Sequence, residues 1–220
     1  MAKKIIIFDF DNTLVKTRIN FSAMKIQMAQ SVKKYGLNFG KLEEIPKNYT
    51  AGNIIDQAEI YDQENNTNIT KKLWKIVEKY ERLGMADLTI DKEILNVLDD
   101  ISDFNYPLAI LTNNAKKPTL EVIKRFNIEA YFDLVIARED VAKMKPDSEG
   151  LDLVIKHFSA DPKNAVFIGD SWVDGVAANN ANIRFILYKE KTLEAKRHEI
   201  KIWKHIKTMK ELLPIIKEEF

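Results

Sequence analysis

Short runs of apolar residues, many of them β-branched, recur along the chain. They are continuously apolar rather than alternating, which is typical of parallel strands covered on both faces. The runs comprise residues 5–8, 108–111, 134–136, 165–168 and 184–187. This pattern predicts five strands in one parallel sheet.

Helical periodicity fills the intervals between the later runs. Apolar residues recur at helical spacing over residues 118–126 and 150–158, and over 91–101, which lead into the second run. Residues 174–181 form a shorter segment of small side chains that also indicates a helix. We expect Asn182 to end the last of these helices in a left-handed conformation. Residues 209–220 predict a final helix, broken or kinked at Pro214. Alternation of strand and helix predicts an α/β fold, a doubly wound sheet with helices on both faces.

The long interval between the first two runs predicts no strand. Residues 21–35, 54–61 and 71–83 have helical spacing, and the polar, Asn-rich residues 63–68 indicate a loop. A crossover between neighbouring parallel strands needs only about a dozen residues. The interval is much longer than such a crossover. Its extra length predicts a small helical domain, residues 16–84, inserted after the first strand of a core made of residues 1–15 and 85–220.

The composition is that of an ordinary globular protein. Of the 220 residues 45% are hydrophobic and 30% charged, and 34 Lys and Arg almost cancel 33 Asp and Glu, which favours neither nucleic acid nor an anionic membrane as a partner. With no cysteine, disulfides, thiolate metal sites and a cysteine nucleophile are excluded. No segment reaches the roughly 20 apolar residues of a membrane span. We expect a soluble, cytoplasmic protein; the oligomeric state is not indicated.

Two carboxylates, Asp9 and Asp11, follow the first apolar run directly. On an extended chain residues i and i+2 share a face, so both are expected to point the same way. Two such charges repel unless a cation lies between them, and Mg²⁺ prefers carboxylate oxygens. The alternative is an ordinary turn in which Asp11 and Asn12 hydrogen-bond to the backbone.

Polar residues also follow the second run and precede a later helix. Thr112 and Asn113, in the sequence Leu-Thr-Asn-Asn, could bind phosphate oxygens, although the same residues are good in loops and helix caps. In Lys-Met-Lys-Pro-Asp, residues 143–147, Pro146 holds Lys145 extended, so its ammonium could face a phosphoryl group. The alternative for this segment is a solvated basic turn.

A fourth polar segment, residues 168–175, reads Ile-Gly-Asp-Ser-Trp-Val-Asp-Gly. Gly169 suits a sharp exit from the strand, and Asp170 and Asp174 would share one face of a helix. The alternative is a helix capped by Asp170 or Ser171. Trp172 either lines a pocket or packs beneath the helix.

The four segments are more informative together than apart, because a doubly wound sheet brings its strand ends to one edge. The assembled site would contain carboxylates, a lysine, a threonine and an asparagine. The sequence contains no GxxxxGK[ST] loop, GxGxxG turn or Ser-His pair. We assign no chemistry to the three histidines, His157, His198 and His205.

In order and over essentially the whole chain, these segments resemble the haloacid dehalogenase-like hydrolases. Residues 9–13 match the family's DxDxT, Thr112 its second motif, Lys145 its lysine, and residues 169–174 its GDxxxD. The chain looks most like the phosphoglycolate-phosphatase-like branch, which has a helical cap after the first motif. Two positions depart from the family pattern: Ser148 stands where a second proline is frequent, and Asn182 where glycine is.

The resemblance implies a strand order of 3-2-1-4-5 and a mechanism. Asp9 would attack phosphorus and form an aspartyl-phosphate, and Asp11 would serve as general acid and then general base. Mg²⁺ would be held by the Asp9 carboxylate, the Asp11 carbonyl and Asp170, with Asp174 as a further ligand or orienter. Thr112, Asn113 and Lys145 would bind the phosphate oxygens, and the residue 16–84 cap would close over the substrate.

We therefore expect a Mg²⁺-dependent phosphatase that hydrolyses a small-molecule phosphomonoester. A dehalogenase is disfavoured because that chemistry dispenses with the second aspartate, and Asp11 is present. A phosphonate hydrolase would need a Schiff-base lysine in the cap. A phosphosugar mutase shares the core motifs and stays open. From another class, a receiver module would lack the helical insertion, whereas a non-catalytic, partner-binding relative also stays open.

Overall fold

A computed structural model describes residues 3–86, 88–189 and 192–220. The chain folds into two compact units. We call the residues up to Lys16 together with Thr89–Phe220 the α/β unit, and Thr17–Leu88 the helical unit.

The α/β unit is built on a parallel sheet. Its strands are β1 (Ile5–Phe8), β2 (Leu108–Leu111), β3 (Leu134–Ile136), β4 (Ala165–Gly169), β5 (Arg184–Tyr188) and β6 (Lys204–Ile206). Their order is β3-β2-β1-β4-β5-β6, which confirms the predicted doubly wound sheet and the order of its first five strands. The sixth strand was not predicted: it has three residues, and of these only Ile206 is buried, so no apolar run marks it.

Strand β1 lies inside the sheet, between β2 and β4. Ile5 and Ile7 belong to the core that also contains side chains of α7 (Glu149–Phe158) and α8 (Trp172–Asn180). Ile6 and Phe8 point to the opposite face, because side chains alternate along a strand. All four are fully buried, so both faces of the sheet are covered. This burial explains why the run is continuously apolar.

The remaining helices of the α/β unit are α5 (Lys92–Ser102), α6 (Lys116–Arg125), α9 (Thr192–Arg197) and α10 (Leu212–Glu218). The predicted break at Pro214 is wrong. Pro214 lies in the first turn of α10, where a missing N–H leaves no helical hydrogen bond unmade. Asn182 follows α8 with φ of 56°, which confirms the predicted left-handed conformation.

The helical unit consists of α1 (Phe21–Lys33), α2 (Ile45–Asn48), α3 (Ala51–Asn65) and α4 (Thr70–Met85). It has its own apolar core, in which Met28, Ile54 and Leu73 are fully buried. The loop predicted for residues 63–68 is shorter in the structure, because α3 continues to Asn65 and ends at the left-handed Asn66.

No helix in the described ranges combines the length and the apolar character that crossing a membrane requires.

Candidate active site

The strand order reverses between β1 and β4: β2 and β3 lie on one side of this point, and β5 and β6 on the other. Open parallel sheets bind their ligands at such a point, beside the carboxyl ends of the strands. Backbone hydrogen bonds hold these ends in place. The Asp9 N–H donates to the Ile168 carbonyl over 2.8 Å, and the Thr112 N–H donates to the Ile136 carbonyl over 3.0 Å. The backbones of Asp9 and Thr112 are therefore fixed where they leave the sheet, and Asp170 directly follows the last residue of β4.

Lys145 brings three of these segments together. Its Nζ lies 2.6 Å from Asp9 Oδ1, 2.7 Å from Asp174 Oδ1 and 3.1 Å from the Leu111 carbonyl oxygen. The ammonium is buried with its partners. Burial alone would lower the pKa of Lys145, but the carboxylates of Asp174 and Asp9 outweigh it and hold that pKa above its usual value. Lys145 is therefore a fixed positive charge beside Asp9.

Asp9 is a buried carboxyl group in a strongly negative environment. Burial raises its pKa well above the usual range, as do the carboxylates of Asp174, Asp170 and Asp11, whereas Lys145 acts in the opposite direction. A second cation among these carboxylates would favour ionised Asp9 in the same way as Lys145. The site therefore favours the binding of a divalent cation.

Asp170 and Asp174 reach the site by a route different from the predicted one. They do not share a helix face, because α8 begins at Trp172 and Asp170 precedes its N-cap, Ser171. Asp174 Oδ2 accepts hydrogen bonds from the Ser171 N–H at 3.1 Å and the Ser171 hydroxyl at 2.5 Å. With Oδ1 bound to Lys145, both oxygens of Asp174 are engaged. These contacts hold Asp174 beside Lys145, and its role as a further metal ligand or as an orienter stays a prediction.

Gly169 is required because the side chain of Asp174 lies close to its Cα. A Cβ at this position would lie 2.6 Å from Cβ of Asp174. Any larger residue would displace Asp174, and with it the side chain that holds Lys145.

Among the residues that the structure describes, carboxylate oxygens of Asp9, Asp170 and Asp174 lie within 4.8 Å of one another. All three residues are buried. Hard oxygen donors at this spacing fit Mg²⁺, which takes one or two carboxylates and retains water or phosphate as its other ligands. The carboxylate of Asp11 is not part of this cluster, and a bond from its backbone carbonyl to the metal stays a prediction.

The two asparagines after β2 take different partners. Asn113 Nδ2 donates to the Lys145 carbonyl over 2.9 Å, and the Lys145 N–H donates to Asn113 Oδ1 over 3.0 Å. This pair of hydrogen bonds fixes the backbone from which the Lys145 side chain extends. Asn113 therefore positions Lys145, and direct phosphate binding by Asn113 stays a prediction. Thr112 Oγ1 accepts the Asn114 N–H over 3.1 Å, which ties its buried hydroxyl to the same loop.

Two residues of the site were missed by sequence reasoning. Asn114 donates from Nδ2 to Asp11 Oδ2 over 2.6 Å. Lys189, just after β5, donates from Nζ to the carbonyl oxygen of Asn12, which has a left-handed φ of 60°. The sequence offered a reason to include Asn114, because it lies beside Asn113 in the polar segment after β2. It offered none for Lys189, which follows a strand to which no motif was assigned.

Trp172 is half-buried, and its ring stacks on His198 with the centroids 3.9 Å apart and the planes at 7°. Burial and the nearby Arg197 lower the pKa of His198, which favours the neutral ring in this stack. A lining role for Trp172 stays a prediction.

The sequence itself identifies the family. Residues 6–188 match the haloacid dehalogenase-like hydrolase family. The chain belongs to this family. The match runs from β1 to the end of β5 and therefore includes all four polar segments of the site.

Individual relatives agree with this assignment. Pyrophosphatase PpaX of Oceanobacillus iheyensis is 24% identical over 184 residues, which cover 84% of this chain and 82% of that protein. Phosphoglycolate phosphatase of Rhodobacter capsulatus is 31% identical over 115 residues, 52% of this chain and 51% of the relative. The predicted membership of the haloacid dehalogenase-like hydrolases, on their phosphoglycolate-phosphatase-like branch, is confirmed.

Solved structures of the family share the fold. A Bacteroides fragilis protein described as a haloacid dehalogenase-like hydrolase superposes with a TM-score of 0.70 at 21% identity, covering 96% of this chain and 99% of that one. A haloacid dehalogenase-like hydrolase from Streptococcus pneumoniae gives 0.64 at 18% identity, covering 96% and 97%. At these identities the likeness concerns the fold, which is that of haloacid dehalogenase-like hydrolases.

Proposed function

We propose that this hydrolase is a Mg²⁺-dependent phosphatase that cleaves small-molecule phosphomonoesters through an aspartyl-phosphate on Asp9. The observation that carries the proposal is the contact between Asp9 and Lys145 at the end of β1, inside a buried group of carboxylates. A nucleophile needs a rigid mount, and a transferring phosphoryl group needs a fixed positive charge beside it.

In the first step, an oxygen of Asp9 attacks phosphorus as the bond to the leaving oxygen breaks. Asp11 gives its proton to that oxygen, and the alcohol leaves. Lys145, held by Asp174 and by the backbone contacts of Asn113, offsets the charge of the non-bridging oxygens. Thr112 would bind the same oxygens. The products of the step are the alcohol and an aspartyl-phosphate.

In the second step, the Asp11 carboxylate removes a proton from water and the resulting hydroxide attacks phosphorus. The bond to Asp9 breaks, phosphate leaves, and Asp9 is again a carboxylate. Asp9, Asp170 and the Asp11 carbonyl would hold Mg²⁺, which supplies charge neutralisation to the phosphoryl group when bound. The helical unit, inserted in the chain directly after this segment, is proposed to act as the cap that excludes bulk water.

Inorganic pyrophosphate is a second candidate substrate. It is favoured by the pyrophosphatase PpaX of Oceanobacillus iheyensis, which aligns with 84% of this chain. The attack on phosphorus would be the same, but the leaving group would be phosphate rather than an alcohol. A phosphosugar mutase would instead convert one sugar phosphate into its isomer without net release of phosphate.

The test is release of phosphate from a panel of sugar phosphates, 2-phosphoglycolate, p-nitrophenyl phosphate and pyrophosphate, with Mg²⁺ and with EDTA. We expect hydrolysis of phosphomonoesters with Mg²⁺ and loss of that activity with EDTA. Asp9→Asn should lower turnover by about 10³-fold or more, because the nucleophile is removed. Asp100→Asn, an exposed carboxylate on α5, is the matched control and should retain wild-type turnover.

Undiminished turnover in Asp9→Asn would refute the nucleophile assignment. Isomerisation of a sugar phosphate without phosphate release would replace the phosphatase by a mutase. Hydrolysis of pyrophosphate alone would move the substrate class from monoesters to phosphoanhydrides. Absence of turnover on the whole panel would favour a non-catalytic, partner-binding protein.

A further inference from the structure

Asn114 contacts the residue that we propose as general acid. Its Nδ2 donates to Asp11 Oδ2 over 2.6 Å, a short hydrogen bond. Hydrogen bonds to an ionised carboxylate are shorter and stronger than those between neutral groups. The two residues are 103 positions apart in the chain, so the contact depends on the fold. Asn114 is 3% exposed, whereas Asp11 is half-buried. A buried amide thus holds the more accessible carboxyl group.

Asn114 is itself rigidly held. Its N–H donates to Thr112 Oγ1 over 3.1 Å, and its carbonyl oxygen accepts the Arg138 N–H over 3.0 Å. The first bond ties it to the end of β2 and the second to the segment after β3. Neither bond involves the Asn114 side chain, so replacing that side chain leaves both backbone hydrogen bonds of Asn114 in place.

We propose that Asn114 is a positioning residue for proton transfer by Asp11, an inference that rests on the function proposed above. An amide N–H binds an ionised carboxylate about twice as strongly as a neutral partner. Asp11 becomes a carboxylate as it delivers its proton to the leaving oxygen. The Asn114 hydrogen bond therefore strengthens during the step and lowers its barrier, besides fixing the direction in which the carboxyl group points.

The leaving group decides how much of this assistance is needed. As the P–O bond breaks, its electron pair goes to the ester oxygen. An alkoxide is a poor leaving group and must take the Asp11 proton, whereas p-nitrophenolate is stable without one. A defect in proton delivery therefore falls mainly on alkyl phosphates, and a general loss of packing or of phosphate binding falls on both ester classes.

The neighbouring asparagine is a matched control. Asn113 holds the Lys145 backbone, and Lys145 offsets charge on the phosphoryl group whatever the leaving group is. Asn113→Ala should therefore lower kcat/KM for alkyl and aryl esters by similar factors. Asn96, exposed on α5, serves as the neutral control, and Asn96→Ala should behave as the wild type.

The experiment measures kcat/KM for an alkyl phosphate and for p-nitrophenyl phosphate at saturating Mg²⁺, in the wild type and in Asn114→Ala. We expect the alkyl-to-aryl ratio to fall by at least about 10-fold in Asn114→Ala, since general acids contribute about 10²–10⁴-fold. The ratio should stay within about 3-fold of the wild type in Asn113→Ala. Asn114→Ser retains a short hydrogen-bond donor, so its alkyl-to-aryl ratio should lie between those of the wild type and Asn114→Ala. Thermal unfolding of each variant shows whether it is folded.

An unchanged ratio in folded Asn114→Ala or Asn114→Ser overturns the inference and leaves the proposed phosphatase intact. A wild-type protein that hydrolyses neither ester overturns the phosphatase and the inference together. The two failures are therefore distinguishable.

Discussion

The two units bury polar groups for different ends. In the helical unit the buried Thr50 serves its own helix, accepting the Asn53 N–H over 3.0 Å at the N-cap of α3. In the α/β unit the buried Lys145 contacts both Asp9 and Asp174, which are far from it in sequence, at the carboxyl ends of the strands. Local polar groups stabilise an element, whereas these long-range groups form a site.

The difference concerns energy as well as geometry. A helix cap stabilises a protein by about 1 kcal/mol. Buried charges lose hydration, and ion pairing only roughly compensates for that loss. The α/β unit holds its carboxylates in spite of this desolvation, as expected of a site shaped by chemistry. Substitutions in this buried charged group should therefore affect activity and stability together, whereas substitutions in the apolar core of the helical unit should affect mainly stability.

Lys145→Met should have the largest effect. It leaves Asp9 and Asp174 buried beside each other without their shared cation, and breaking a buried pair in this way typically lowers the free energy of unfolding by about 3–5 kcal/mol. Loss of one pre-aligned charge should also lower turnover by about 10²–10³-fold. Urea unfolding and phosphatase assays measure the two effects.

Lys143→Met is the matched control, because Lys143 lies two residues away and is exposed. It should match the wild type in both assays. A Lys145→Met protein with wild-type stability and turnover would show that the contrast between the units is wrong.

Leu73→Ala should come next, with an effect on stability alone. Leu73 is fully buried in the core of the helical unit, and such truncations lower the free energy of unfolding by about 2–5 kcal/mol. Turnover per folded molecule should fall far less than in Lys145→Met. A similar loss of turnover in both variants would remove the distinction between the units.

Asp62→Asn should have a smaller effect. The apolar Ile69 at the N-cap of α4 has no side-chain acceptor, and Asp62 supplies one from α3. Asp62 Oδ1 accepts the Ile69 N–H over 2.7 Å and Oδ2 accepts the Thr70 N–H over 2.9 Å. Removing the charge at this helix N-terminus should lower the free energy of unfolding by about 1–2 kcal/mol. Chemical denaturation measures it, with Glu64→Gln on the same helix as control.

The difference in free energy of unfolding between the wild type and Asp62→Asn should depend on pH, and this dependence identifies its physical origin. Desolvation opposes ionisation of Asp62, but hydrogen bonds from Thr67, Ile69 and Thr70 outweigh it and hold its pKa well below the usual range. A carboxyl group with a depressed folded-state pKa stabilises the protein above its unfolded pKa of about 3.9 and loses that contribution as pH falls further. The gap between wild type and Asp62→Asn should be constant from about pH 5 to 8 and shrink below about pH 4. A gap that persists in acid would indicate lost packing instead.

Much of the fold could be predicted because its signals are local. Strands β1, β2 and β4 are buried along their whole length, so they are continuous apolar runs that the sequence reveals directly. Edge strand β3 was predicted because it reads Leu-Val-Ile, whereas edge strand β6 reads Lys-His-Ile and was missed. Helix α9 was missed because it is short and mostly exposed. Pro214 was misjudged because its effect depends on where the helix begins, which its neighbours in sequence do not reveal.

In the candidate site, too, some features could be predicted from the sequence and others could not. The sequence by itself determined the apolar strands, the polar residues that follow them and the family to which they belong. Only the tertiary structure decided which groups meet: Lys145 with Asp9 across 136 positions, and Asn114 rather than Asn113 with Asp11. The physical reason is that periodicity depends on near neighbours in the chain. The partner of a buried polar group instead depends on which distant strand end the sheet brings within hydrogen-bonding distance.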